Sequence, residues 1–198
     1  MSTDSRDLRH RLFTLAANQS GYFTAAQAKD LGYSYQAQVH HVASGNWIRV
    51  DRGIFRLADW VPGPHDELAR WHLWSKERSV VSHETALSVH GVGEFESPRI
   101  QLTVPPGFRM DDVALVLHKI ELPDEDVEVR PGFRLTTLQR SLVDVAAVHA
   151  EEDQLARAVE EALARGTFTR RALRARAEAV DPRAALRIER ALGTLGSA

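Results

Sequence analysis

The feature that most restricts the fold of this chain is a change of hydrophobic period at Gly45. Upstream of it, Leu8, Leu12, Leu15 and Ala16 recur at three- and four-residue spacing, the buried stripe of a helix expected from Asp7 to about Asn18 and stopped by Gly21. Thr24-Ala25-Ala26-Gln27 is a capping box: the Thr24 hydroxyl can accept an N–H of the first turn while Gln27 reaches back, opening a short helix that Gly32 closes. Ser34 then caps a third helix running to about Ser44, with Gly45 in the left-handed position behind it. Downstream of Gly45 the period shortens. Trp47-Ile48-Arg49-Val50 and Ile54-Phe55-Arg56-Leu57 form two strands around Asp51-Arg52-Gly53, a hairpin turn whose glycine can take a positive φ. Three helices, the last two joined by a tight Leu-Gly-Tyr turn, followed by a hairpin, make a winged helix-turn-helix.

Trp60-Val61-Pro62-Gly63-Pro64 interrupts any regular element, so the boundary is expected there, between an N-terminal domain at 1–60 and a second domain at 65–198. In the second domain, Ser82-His83-Glu84-Thr85 starts a helix that ends at Gly91. Residues 99–104, 113–118, 127–130 and 133–136 alternate like strands, which gives a small, mostly antiparallel sheet. Thr136-Thr137-Leu138-Gln139 has the form of another capping box, ahead of a helix whose buried face holds Leu142, Val143, Ala146 and Ala147. Three further helices span about 154–165, 169–179 and 182–192. The fold class is therefore α+β: a winged helix-turn-helix followed by a mixed domain with a small sheet and a helical C-terminal part.

The formal net charge of −2 offers no general attraction for nucleic acid, but it is unevenly spread. Residues 1–60 carry seven basic and five acidic side chains, whereas 61–150 carry nine basic and fourteen acidic ones. The chain has no cysteine, which removes disulfides, thiol nucleophiles and cysteine-ligated metals. No apolar run approaches bilayer length and the charged N-terminus is no signal peptide, so a cytoplasmic protein without a membrane partner is expected.

Candidate catalytic and metal groups lose to simpler readings. The helical zinc motif would need a histidine four residues after His83, where Leu87 stands. His40 and His41 point about 100° apart on a helix and cannot share an ion. Asp144, in an apolar helix, is one turn from Arg140 and is expected to pair with it rather than act as a base. Nuclease chemistry on Asp111, Asp112 or Asp144 has only composition behind it. No catalytic residue, metal or cofactor is expected.

DNA contact is the better reading of the first sixty residues. The third helix offers Ser34, Tyr35, Gln36, Gln38 and His40 to the major groove, where glutamine can read adenine and tyrosine or serine can reach phosphate. Arg49, Arg52 and Arg56 lie on or beside the wing, where a backbone contact needs a cation. Arg170, Arg171, Arg174 and Arg176 crowd one later helix, as a solvated face or as a second contact with DNA or an acidic partner.

The stretch GYFTAAQAKDLGYSYQAQVHHVASGNWIRVDRGIFRL resembles the N-terminal winged helix of AbiEi-type antitoxins, from bacterial type IV toxin-antitoxin systems. SHETALSVHGV, RIQLTVP, FRLTTLQRSLVDVA and DQLARAVEEALARG look like that family's C-terminal domain, so the resemblance covers about residues 7–178. It implies a repressor of its own operon that binds double-stranded operator DNA through the N-terminal domain. Through the C-terminal domain it implies an antitoxin that counteracts a cognate nucleotidyltransferase-like toxin. The third helix departs from relatives in having neither arginine nor lysine. A second reading is a winged-helix transcriptional regulator whose C-terminal domain senses a small molecule or a partner protein.

Overall fold

The N-terminal stripe forms α1 (Ser2–Ala17), and the two capped segments form α2 (Ala25–Leu31) and α3 (Tyr35–Ala43). The structure is a computed structural model that describes residues 2–95, 97–148 and 151–194. Both halves of the expected capping box are made: Gln27 N–H donates to Thr24 Oγ1 (3.1 Å) and Thr24 N–H donates to Gln27 Oε1 (2.8 Å). Ser34 Oγ accepts from Ala37 N–H, and Gly45 adopts φ +75° behind α3. The hairpin strands β2 (Trp47–Asp51) and β3 (Ile54–Leu57) pair antiparallel, with a bulge between Arg49 and Asp51. A third strand, β1 (Tyr22–Thr24), pairs antiparallel with β3, so the order is β1-β3-β2. Its three residues are too few to show alternation. Leu12, Ala16, Phe23, Ala28, Tyr33, Trp47 and Phe55 form the core between helices and wing.

The structural unit built on this core does not stop at Trp60. It contains residues 1–78 and 130–133, and the second unit contains 79–129 and 134–198. The proline-glycine segment introduces a further helix of the first unit, α4 (Asp66–Trp74). Asp66 Oδ2 accepts from both the Trp60 indole N–H (2.9 Å) and the Gly63 N–H (2.8 Å), which ties the loop to the start of α4. Ala69 and Leu73 of α4 pack with Tyr22 and Ile54 on the wing face opposite the main core. Gly21, at φ +82°, permits the Trp60 ring to lie against the backbone; a Cβ there would sit 2.3 Å from the indole.

In the second unit, β4 (Val80–Val81), α5 (His83–His90), β5 (Ile100–Val104), β6 (Leu115–Lys119), β7 (Val127–Arg130) and β8 (Phe133–Thr136) precede α6 (Leu138–Val148). Helices α7 (Glu152–Ala164), α8 (Arg170–Val180) and α9 (Pro182–Thr194) follow. The α+β class is as read from the sequence. The sheet, ordered β6-β5-β4-β8-β7, is mixed: β4 pairs antiparallel with β5, but β5–β6 and β4–β8 are parallel. Alternation reveals a half-buried strand and says nothing of its direction, which the connections decide. The cap of α6 lies one residue later than the expected box. Thr137 Oγ1 accepts from Arg140 N–H (3.2 Å), while the Thr136 hydroxyl is buried against Ser141 Oγ (2.7 Å). A core of Leu142, Val143, Val159, Leu173 and Ile188 unites α6 to α9.

Candidate nucleic-acid interface

Helix α3 sorts its side chains by face. Tyr35, Gln36, Val39 and His40 are exposed, at the spacing that places them on one side of a helix. Gln38 turns the other way. It is 6 % exposed, and its Nε2 donates to the Ala25 carbonyl (3.1 Å) and the Tyr33 carbonyl (3.2 Å), joining α3 to α2 and the turn between them. This corrects the expectation that Gln38 faces a base: both amide protons already bond buried carbonyls. Gln38→Ala should therefore lower folding stability by about 1–3 kcal/mol, the cost of stranding buried acceptors, and leave any DNA sequence preference unchanged. Thermal unfolding and a base-substitution series check the two halves; a lost preference with unchanged stability would restore Gln38 as a reader.

The other expected contacts divide in the same manner. Ser34 Oγ serves as cap acceptor, which leaves its hydroxyl proton available to a phosphate. Tyr33 belongs to the domain interior, and the half-buried His41 stacks its ring on Trp47 with centroids 4.7 Å apart. Burial, with smaller contributions from His40 and Arg9, holds the His41 imidazole below its ordinary pKa.

Strand register places Arg49 and Arg56 on opposite faces of the hairpin. Arg49 lies opposite Phe55, on the hairpin face that carries Trp47 and packs toward α3, and its guanidinium sits 5.8 Å from the Phe55 ring centroid. Arg52 is exposed at the turn, with Asp51 Oδ1 accepting its backbone N–H. Asp51 is itself engaged by Arg70 (3.3 Å), so its charge is countered from α4 rather than by the wing. Arg56 pairs with Ile48 and Tyr22 on the opposite face, half-buried, and its Nε is buried without a hydrogen-bond partner among the described residues. Arg49 thus lies on the hairpin face turned toward α3, Arg52 is exposed at the turn, and Arg56 lies on the other face. Val39 is an exposed residue of this surface that sequence reasoning passed over, because an aliphatic side chain in a helical stripe signals core.

In the second unit, the four arginines of α8 do not form one free patch. Arg174 makes a bidentate pair with Glu189 of α9 (2.6 and 3.0 Å). Arg176 reaches Glu125 (3.3 Å) and Asp126. Arg170 and Arg171 are exposed and have no side-chain partner among the described residues. Asp126 also accepts from Arg140 Nη1 (2.6 Å), and Arg140 Nε donates to Asp144 Oδ1 (2.7 Å), the expected one-turn pair enlarged into a buried network. Burial raises the Asp144 carboxyl to about 6 although Arg140 pulls the other way. Asp111 is exposed and Asp112 half-buried, and both accept backbone N–H groups of their own loop. Among the described residues no group of three or more acidic or histidine side chains can hold a metal ion.

His83 and His118 form a second buried polar cluster. Their rings stack with centroids 3.5 Å apart; His83 Nδ1 lies 2.9 Å from Ser82 Oγ, and His118 Nε2 lies 3.0 Å from Gln101 Oε1. Burial, then the neighbouring His118 and Arg140, push the His83 imidazole down to about 3. The unfolded chain takes up a proton near pH 6.5 and the folded chain does not, so this group's contribution to stability is full above pH 6.5 and is lost as pH falls toward 3. His83→Asn, which tolerates the φ of +55° at this position, should flatten the decline of unfolding free energy between pH 6.5 and 4. An unchanged slope in urea unfolding at stepped pH would show that His83 does not control it.

The chain thus joins a winged helix-turn-helix, with an exposed α3 face, to an α+β unit. Residues 10–58 match the model of the AbiEi_4 family, described as "Transcriptional regulator, AbiEi antitoxin". The likeness to AbiEi antitoxin regulators is thus one of the N-terminal segment. The fold as a whole is similar to the crystal structure of the RV2827C protein from Mycobacterium tuberculosis, with a TM-score of 0.60 and 15 % sequence identity over 91 % of this chain and 75 % of that one. At that identity the likeness is one of fold. No curated protein sequence matches the chain. No helix among the described residues is long and apolar enough to cross a membrane.

Proposed function

We propose that the protein is an antitoxin of a bacterial type IV toxin-antitoxin system that binds operator DNA and represses its own operon. The observation that carries this reading is the exposed side of α3, followed in the chain by a hairpin on which Arg49 and Arg52 are exposed, within the segment that matches AbiEi antitoxin regulators. Tyr35, Gln36, Val39 and His40 face the major groove, Ser34 and the two wing arginines bind phosphates, and Gln38 and Arg56 hold the domain together. Such a division separates backbone contacts, which set affinity, from base contacts, which set sequence.

The second unit is the part assigned to counteracting a cognate nucleotidyltransferase-like toxin. Within that unit, residues 79–129 carry ten acidic against three basic side chains, complementary to a basic partner, and Arg170 and Arg171 remain for an acidic one. Co-expression of the full chain with the product of the adjacent gene tests this role. Growth arrest caused by the neighbour alone and relieved by this protein supports it. A neighbour that is harmless, or whose toxicity persists, overturns it.

A further inference from the structure

We infer that α3 selects a site containing an A·T step, with Val39 against a thymine methyl and Gln36 on the edge of an adenine. The inference rests on the DNA-binding reading above and supplies what that reading leaves open, the chemistry of the sequence preferred.

The starting point is an aliphatic side chain in the wrong place for packing. Val39 is 51 % exposed, and the inner side of α3 is already supplied by Gln38, Ala37 and Val42. Valine is a poor helix former, so an outward position on a nine-residue surface helix gains nothing for the fold. Tyr35, one turn earlier on the same side, is 73 % exposed. The exposed face therefore presents an apolar centre with polar groups around it: Gln36, His40 and the phenol of Tyr35.

What is missing from that face limits what it can read. Bidentate recognition of guanine uses arginine or lysine, and α3 contains neither. A glutamine amide matches the N6 donor and N7 acceptor of adenine, and an aliphatic group matches the C5-methyl of thymine, which no other base carries. The amide that could have competed, on Gln38, is held by two backbone carbonyls. Gln36 and Val39 stand three residues apart, neighbours on one helix face with Cβ atoms about 5–6 Å apart. Successive bases rise about 3.4 Å along a strand, so the two side chains reach adjacent pairs or the pairs on either side of one step.

The test uses the full chain. Duplexes selected by it from a random pool are remade with each thymine in turn replaced by uracil, which deletes only the methyl group. For the wild type, one such replacement should weaken binding about three- to fivefold, the worth of one buried methyl. Val39→Ala, at an exposed position, should retain the wild-type melting temperature and bind the thymine and uracil duplexes equally. Gln36→Ala should lose at least about fivefold of its preference for the adjacent adenine. Uniform tolerance of uracil by the wild type, or a full uracil penalty retained by Val39→Ala, overturns the inference while DNA binding stands. A Val39→Ala variant that binds DNA as before but no longer self-associates assigns the patch to a second copy of the chain, and also overturns it. If no duplex is selected at all, the DNA-binding reading falls first and takes this one with it.

Discussion

Replacing Arg140 by alanine is expected to cost about 3–5 kcal/mol of folding stability, the typical penalty for removing one partner of a buried ion pair. Arg140 is 4 % exposed and stands between two carboxylates, Asp126 at 2.6 Å and Asp144 at 2.7 Å, both nearly inaccessible to solvent. Without the guanidinium, Asp144 retains no direct cation among the described residues and Asp126 retains only Arg176 among them. The desolvation of two carboxylates then goes uncompensated, which is far dearer than the loss of an exposed pair. The variant should also prefer acid. Asp144 already has a folded-state pKa above its ordinary value, so its ionisation lowers stability as pH rises from about 4 to 6, and removal of Arg140 widens that window upward. Arg174→Ala breaks only the exposed pair with Glu189 and should change stability by less than about 1 kcal/mol. Urea unfolding of the two variants separates them; equal, small losses would mean that the buried network does not hold the second unit together.

The second large effect concerns the wing. With Arg49 and Arg52 both replaced by alanine, the slope of log affinity against log salt should become shallower by about 1.8, roughly 0.9 for each phosphate no longer neutralised. Binding should weaken to a similar degree on preferred and scrambled duplexes, because phosphates carry no sequence. Arg56→Ala should leave the slope nearly unaltered, since Arg56 lies on the hairpin face that carries Ile48 and Tyr22. An Arg56 variant that flattens the slope while the Arg49 and Arg52 double variant keeps it would reverse the orientation assigned to the wing.

Much of the first unit is legible in its sequence because its elements are announced by local chemistry. The Thr24 and Gln27 capping pair, the Ser34 cap and the left-handed glycines at 45 and 53 act over a few residues, and each forms as its spacing implies. The Arg140 and Asp144 pair is legible for the same reason, one turn apart on α6. Asp126 and Arg176 complete that network from distant parts of the chain, which no local pattern signals. Helix α4 is concealed by the proline-glycine segment, which breaks a helix or strand without ending a folded unit. On α3 the difficulty is subtler. Polar residues are expected outside and aliphatic ones inside, yet Gln38 is drawn inward by two carbonyls of α2 and its following turn, while Val39 is left outside. Tertiary hydrogen bonding decides that exchange, and periodicity cannot register it.

The most direct measurement is a titration of the full chain with a duplex from the region upstream of its own gene, beside a scrambled duplex of equal length, over a series of salt concentrations. A specific operator-binding repressor should prefer the upstream duplex by about a thousandfold or more, with affinity for both falling linearly on a log-log plot as salt rises. Equal affinity for the two duplexes, or no binding to either at low salt, would contradict the assignment of α3 and the wing as a DNA-reading surface.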